Sequence, residues 1–317
     1  MRKESPPLRA WEDVKVEDDM IIRRTCILGL AFAFGGAAGW PGAARGTGAA
    51  EPPPRIISLS PHITELLFAA GAGSRIVGVD DSSDYPAAVA GIPRVGEPAA
   101  LDIEGLLKLE PTLIVLWDSG TPARRKAELQ RLHLQLYVTD QHRLDDIGTT
   151  LVEFGRLAGT EAAADAAAAR YRAELAQLRA QYTARPRLKV FYQVWDRPLY
   201  TLSGGQVVSE VLSLCGGDNV FADLSTLAPA VDKEAVLARN PDVILIAATG
   251  AEGERQTAGW NRYPDVRAVQ QHHVYTVDPS LTGRMAPRIL QGVREVCGLL
   301  DAARRAPRVG DPRTKAP

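Results

Sequence analysis

The chain has 317 residues, 45% of them hydrophobic and 24% charged. That balance excludes a disordered tail protein and leaves material for two cored lobes. A formal net charge of −1 gives a nucleic acid no electrostatic footprint to bind.

The apolar run from Cys26 to Ala38 follows Arg23 and Arg24 and leads to the small residues Gly48-Ala49-Ala50. It is too short for a bilayer span, which needs about 20 residues. A positive start, a short apolar core and a small-residue cut site predict a cleaved secretory signal, with a buried helix as the alternative. Residues 1–19 are rich in acids, which points to Met20 as the start, and the mature chain is expected to begin near Glu51, with 43–45 as a second cut. Cys26 opens the apolar run instead of following it, so an acylated anchor is not expected. Cys215 and Cys297 remain after cleavage. In an oxidising compartment they suggest one disulfide, with two buried thiols as the alternative.

From Arg55 onward, strand-like and helix-like runs alternate. Strands are expected at 55–60, 77–79, 113–117 and 135–139, with helices at 64–70, 103–109 and 124–132. A second series places strands at 189–194, 243–247 and 274–277, and helices at 207–214, 233–238 and 287–303. Such alternation predicts parallel sheets with helices on both faces. Residues 161–182 lie between the series, hold strong helix formers and lack Gly and Pro. They predict one helix of roughly 33 Å, a semi-rigid connector.

The halves echo each other. Asp102, Glu104, Leu107, Pro111 and Ile114 recur as Asp232, Glu234, Leu237, Pro241 and Ile244, and Thr64-Glu65 with Gly71 recurs as Ser209-Glu210 with Gly216. The fold expected is α/β: two pseudo-symmetric lobes joined by one long α-helix. Its divisions are an upstream segment (1–50), an N-terminal lobe (51–148), a helical connector (149–186), a C-terminal lobe (187–305) and a disordered tail (306–317).

Leu202-Ser203-Gly204-Gly205-Gln206 spells the signature of ABC ATPases, but no lysine here follows a glycine, so the phosphate loop of that class is missing. The five residues are expected to form a turn between a strand and a helix. No nucleophile elbow, His-Glu-x-x-His or Cys-x-x-Cys is present, so no catalytic residue and no metal site are assigned. His62-x-x-Glu65 could hold a metal, but such pairs are common by chance. Asp102 and Asp232 read as helix N-caps. Glu104 and Glu234, at matching points of the two halves, read as a two-pronged docking site for arginines on a partner.

Ile56–Leu66, with its Ser-Leu-Ser-Pro-His-Ile-Thr-Glu core, resembles the opening of the class III periplasmic binding proteins. Ser83-Asp84-Tyr85-Pro86, Cys215–Phe221 and Pro287-Arg288-Ile289 match that family further on. The cysteine block is most similar to the cobalamin-binding members. The resemblance implies a non-enzymatic protein that captures cobalamin or a related corrinoid and delivers it to a type II ABC importer, acting as a monomer without nucleic acid. Haem or a ferric siderophore is the alternative ligand. The implied ligand contacts are Tyr85, Trp117, Trp195, Tyr200 and the loop Ser280, Leu281, Thr282, Gly283, Arg284. Glu104 and Glu234 match the positions that dock on the transporter.

Overall fold

The computed structural model describes residues 53–306. The signal sequence, its cut near Glu51 and the tail after Arg308 lie outside the described residues.

In chain order the first half holds β1 (Ile56–Ser58), α1 (Pro61–Ala69), β2 (Ile76–Val79), β3 (Gly96–Glu97), β4 (Ala100–Leu101), α2 (Ile103–Lys108), β5 (Leu113–Trp117), α3 (Ala123–Gln130) and β6 (Gln135–Thr139). Two helices follow, α4 (Leu144–Ala158) and α5 (Glu161–Tyr182). The second half holds β7 (Leu188–Gln193), β8 (Trp195–Asp196), β9 (Leu199–Tyr200), α6 (Val207–Leu214), β10 (Gly217–Asn219), α7 (Lys233–Arg239), β11 (Val243–Ala247), α8 (Gly250–Trp260), α9 (Arg267–Gln270), β12 (Val274–Val277), α10 (Pro279–Thr282) and α11 (Ile289–Arg305).

The two main sheets are β2-β1-β5-β6 and β10-β7-β11-β12, parallel throughout. Both follow one order: the second strand at an edge, then the first, third and fourth. The sequence echoes fall at equivalent places, α2–β5 against α7–β11 and α1 against α6, so the halves are pseudo-symmetric as expected.

The strands explain how two lobes share one interior. Side chains alternate across a sheet with period two. Ile56 and Val115 of one sheet, with Val190, Tyr192, Val243 and Leu245 of the other, enter one continuous core that also takes in α1, α4, α5, α6 and α11. The residues between them point the other way, into a separate small core for each lobe. Ile57, Ile114 and Leu116 serve the first, and Phe191, Ile244 and Ile246 the second. Each fully buried Ile, Leu, Val or Phe contributes about 1.5–3 kcal/mol.

The helix between the halves spans Glu161–Tyr182, as its composition predicts. Its buried stripe is Ala164, Ala167, Ala168, Tyr171, Leu175 and Leu178, the spacing of one helical face. It is preceded by α4, which the sequence reading did not separate. Gly159, at φ +67°, closes α4 in the left-handed conformation that glycine adopts without strain. A Cβ on Gly155 would lie 2.3 Å from the Ala164 Cβ, so this glycine lets the two helices touch. Arg179 of α5 bonds Asp145 of α4 and Glu210 of α6, and Glu210 also accepts from the Leu144 amide.

One difference from expectation concerns the first helix. It begins at Pro61, three residues before the expected start. Proline at the first helical position loses no hydrogen bond and has its φ preset.

Cys215 and Cys297 are bonded, joining the end of α6 to the middle of α11, and both are fully buried. In the chain-entropy model such a closure is worth at most about 4–5 kcal/mol. Thiol titration of the denatured, unreduced mature chain is expected to find no free thiol. Two free thiols would refute the bond.

Candidate ligand-binding cleft

Open parallel sheets bind ligands beyond the carboxyl ends of their strands, where the strand order reverses. In the first lobe that point lies between β1 and β5. β5 ends in Trp117, which is half-buried, and its ring meets His62 of α1 edge-on, with centroids 5.3 Å apart. A Cβ on Gly120 would lie 2.3 Å from the indole, so only glycine lets that ring lie on the loop. In the second lobe β7 runs into the β8–β9 hairpin. There Trp195 pairs with Tyr200 across the ladder, and Trp195 is 52% exposed. The Leu202–Gln206 motif leads from this hairpin into α6 as a turn, as expected.

A charged knot joins the lobes beside the cleft. The Glu65 side chain is 2% exposed and accepts from two arginines of the other half. Arg288 donates from Nε at 2.9 Å and from Nη2 at 2.8 Å, and Arg284 Nη1 donates at 3.1 Å. Arg284 also donates through both Nη atoms to Asp84, and the Arg288 guanidinium lies 3.8 Å over the Tyr85 ring. The bond from Arg284 holds the Asp84 carboxyl below its usual range. A cavity of about 330 Å³ opens beside the knot, lined by Phe68, Tyr85, Pro287 and Arg288 among others.

Two buried groups near the cleft have displaced titrations. His62 is lowered to about 4, first by burial, then by the Arg284 charge, with Gln141 offsetting only part. Asp80 is raised to about 6, chiefly by burial, against the bond from Ser83 Oγ. Ser83 continues a hydroxyl chain through Thr64 to Ser58, with links of 2.7 Å.

The expected contacts fall into three groups. Trp117, Trp195 and Tyr200 stand at the carboxyl ends of the two sheets. Tyr85 is 42% exposed but holds Arg288 on its face. The segment Ser280–Arg284 is not a free loop: Ser280, Leu281 and Thr282 belong to α10. Thr282 is fully buried and bonds the Tyr192 hydroxyl at 2.8 Å, which removes it from the cleft wall. The Leu281 carbonyl packs on Gly292, Gly283 caps α10, and Arg284 is engaged by two carboxylates. The sequence reading missed Glu65 and Arg288 as an interlobe pair. The only local hint was two arginines spaced four apart, at 284 and 288. The suggested His62–Glu65 metal pair does not form: His62 Nδ1 meets Ser60 Oγ at 2.7 Å, and guanidinium groups take both Glu65 oxygens.

Asp102 and Asp232 cap α2 and α7 by accepting from Gly105 N and Ala235 N. Each of these helices runs toward the amino end of the next strand, so its own start lies at the carboxyl edge, beside the cleft. Glu104 and Glu234 are exposed there, and Glu104 pairs with Lys108 of its own helix at 2.6 Å.

Two parallel α/β lobes on a shared core, with aromatic side chains at the carboxyl edge of each sheet, define the architecture of a two-lobed binding protein. The chain belongs to the periplasmic binding protein family, whose profile matches residues 56–281. It is 35% identical over 254 residues to the vitamin B12-binding protein of Vibrio cholerae serotype O1, covering 80% of this chain and 91% of that one. The crystal structure of the periplasmic vitamin B12-binding protein of Vibrio cholerae superposes with a TM-score of 0.75 at 35% identity, over 80% of this chain and 99% of that one. The apo periplasmic haem-binding protein of Roseiflexus sp. RS-1 gives 0.71 at 26% identity, over 80% and 99%.

Two predictions follow from the buried charges. Glu65→Gln leaves two arginines facing a neutral amide and is expected to cost about 3–5 kcal/mol in urea unfolding. A loss under about 1 kcal/mol would show that the knot is solvated. The second concerns pH. His62 protonates more readily unfolded, so its contribution is lost as pH falls from 6.5 through about 4. Asp80 protonates more readily folded, so its contribution is lost as pH rises from 3.8 through about 6. The two slopes oppose each other, each worth up to roughly 3 kcal/mol. Asp80→Asn is therefore expected to lose stability on acidification more steeply than wild type, by thermal melts from pH 6.5 to 4. Superimposable profiles would refute the opposition.

Proposed function

We propose that the protein captures cobalamin or a related corrinoid in the periplasm and hands it to the permease of an ABC importer. One observation carries this reading: the 35% identity to a vitamin B12-binding protein extends over four-fifths of the chain. The geometry supports it. Trp117 ends β5 in one lobe and Trp195 opens β8 just past the end of β7 in the other, and indole faces supply large contact area at low conformational cost. A broad, partly apolar ligand with a polar rim suits that arrangement. Tyr200 and Tyr85 stand behind the indoles in this reading, and the 280–284 segment shapes the wall through Ser280 and Gly283 rather than Thr282. The work is binding and release, with no bond made or broken.

The same reading has the chain exported behind its cleaved signal, acting as a monomer of lobes 51–148 and 187–305. Glu104 and Glu234 meet arginines of the permease. Charges paired across an interface set orientation and association rate more than affinity. Their helix caps are supplied by Asp102 and Asp232, which frees the glutamates for this role.

The test is a pair of assays. Calorimetry on mature protein at micromolar concentration is expected to show binding of cobalamin and cobinamide. Binding of haem alone would favour the haem reading, for which the 26% identical relative is the precedent. The Glu104→Arg/Glu234→Arg protein is expected to keep ligand affinity and lose uptake with its cognate transporter. Unchanged uptake would reduce both glutamates to helix-end charges.

A further inference from the structure

Beside Trp117 the first lobe carries buried polar atoms whose hydrogen bonds its own fold leaves incomplete, although Gln141 lies close enough to His62 to raise its titration. His62 follows β1, Thr121 follows β5 and Gln141 follows β6, three strands adjacent in the sheet. Their exposures are 7%, 3% and 7%. His62 Nε2, Thr121 Oγ1 and both amide atoms of Gln141 close no hydrogen bond of good geometry. They make up four of the seven such buried atoms among the described residues. More than 90% of buried polar groups in native proteins are paired, so a cluster of exceptions at a binding edge calls for a partner from outside.

We infer that His62, Thr121 and Gln141 form a neutral hydrogen-bonding shelf that recognises carboxamide groups on the ligand and discriminates against carboxylates. The inference rests on the corrinoid reading above and adds what selects among ligands of that size. The chemistry of the shelf is that of a primary amide's complement. Gln141 offers two donors and an acceptor, Thr121 one of each, and His62 Nε2 one or the other according to its tautomer. A carboxylate brings acceptors only and would face the Gln141 carbonyl unrewarded. It would also compete with carboxylates already in place, because Arg284 and Arg288 are held by Glu65 and Asp84, and Lys126 is held by Asp118. Burial keeps His62 neutral at ordinary pH, which accords with this selection. Trp117 lies against His62 and over Gly120, the neighbour of Thr121, so the shelf adjoins the indole.

The experiment titrates mature protein with cyanocobalamin and with its side-chain monocarboxylic acids, in each of which one amide has been hydrolysed. Wild type is expected to bind at least one of these acids about tenfold or more weakly than cyanocobalamin. Gln141→Leu and the isosteric Thr121→Val should keep the circular dichroism and melting of wild type. They should weaken cyanocobalamin by about 10- to 100-fold and bring the amide-to-acid ratio close to unity. A role in folding alone would not move that ratio. Wild-type affinity and ratio in both variants, or equal binding of every acid by wild type, would overturn the shelf while leaving the function standing. No binding of cyanocobalamin or cobinamide by wild type would overturn the function, and the shelf with it.

Discussion

A carboxylate that is 2% exposed cannot keep its charge without cations beside it, and here both cations come from the other half of the molecule. Glu65 lies 219 residues from Arg284 and 223 from Arg288. These bonds therefore hold the halves close together beside the cleft. Burying such a group is costly, and an apolar substitute of the same shape could be equally stable. Its value lies in geometry. Three planar groups with directed hydrogen bonds admit few relative placements of the lobes, whereas apolar contact admits many. Asp84 and Tyr85 extend the same constraint to the rim, so the cleft wall and the lobe junction are one object.

The second tie lies in the interhelical region, where Glu210 of the C-terminal lobe accepts from the Leu144 amide and from Arg179. Between these ties runs α5, with its stripe in the common core. Such a connector leaves little freedom for wide hinge motion. Ligand entry is then a matter of side chains and short loops at the rim, where Trp195 is the most exposed aromatic side chain among the described residues.

The regular elements were legible because their signals are local. Leu113–Trp117, Val243–Ala247 and Glu161–Tyr182 have the bounds expected from apolar runs and helix formers. The lobe duplication was legible through its echoes. Elements rich in glycine were not. Both α4, with Gly148 and Gly155, and α8, with Gly250, Gly253 and Gly259, are formed against propensity because packing outweighs it. In the site, the tryptophans stood out because aromatics are scarce. The fate of Arg284 did not, since nothing near position 284 says that its partners are Glu65 and Asp84. The burial of Thr282 was equally hidden, because it depends on a tyrosine ninety residues away.

The shared core has a consequence for how the protein comes apart. Residues from β1 to α11 occupy one apolar cluster, and each lobe's private core is much the smaller. Neither lobe can melt while the other stays intact, because its inner sheet face would be bared to water along with its neighbour's. Unfolding should then be a single cooperative event, and partly unfolded forms should be scarce. For a protein that waits empty among proteases outside the cytoplasm, that matters as much as affinity. Cleavage needs an opened segment, and this architecture confines cheap opening to the short loops at the rim.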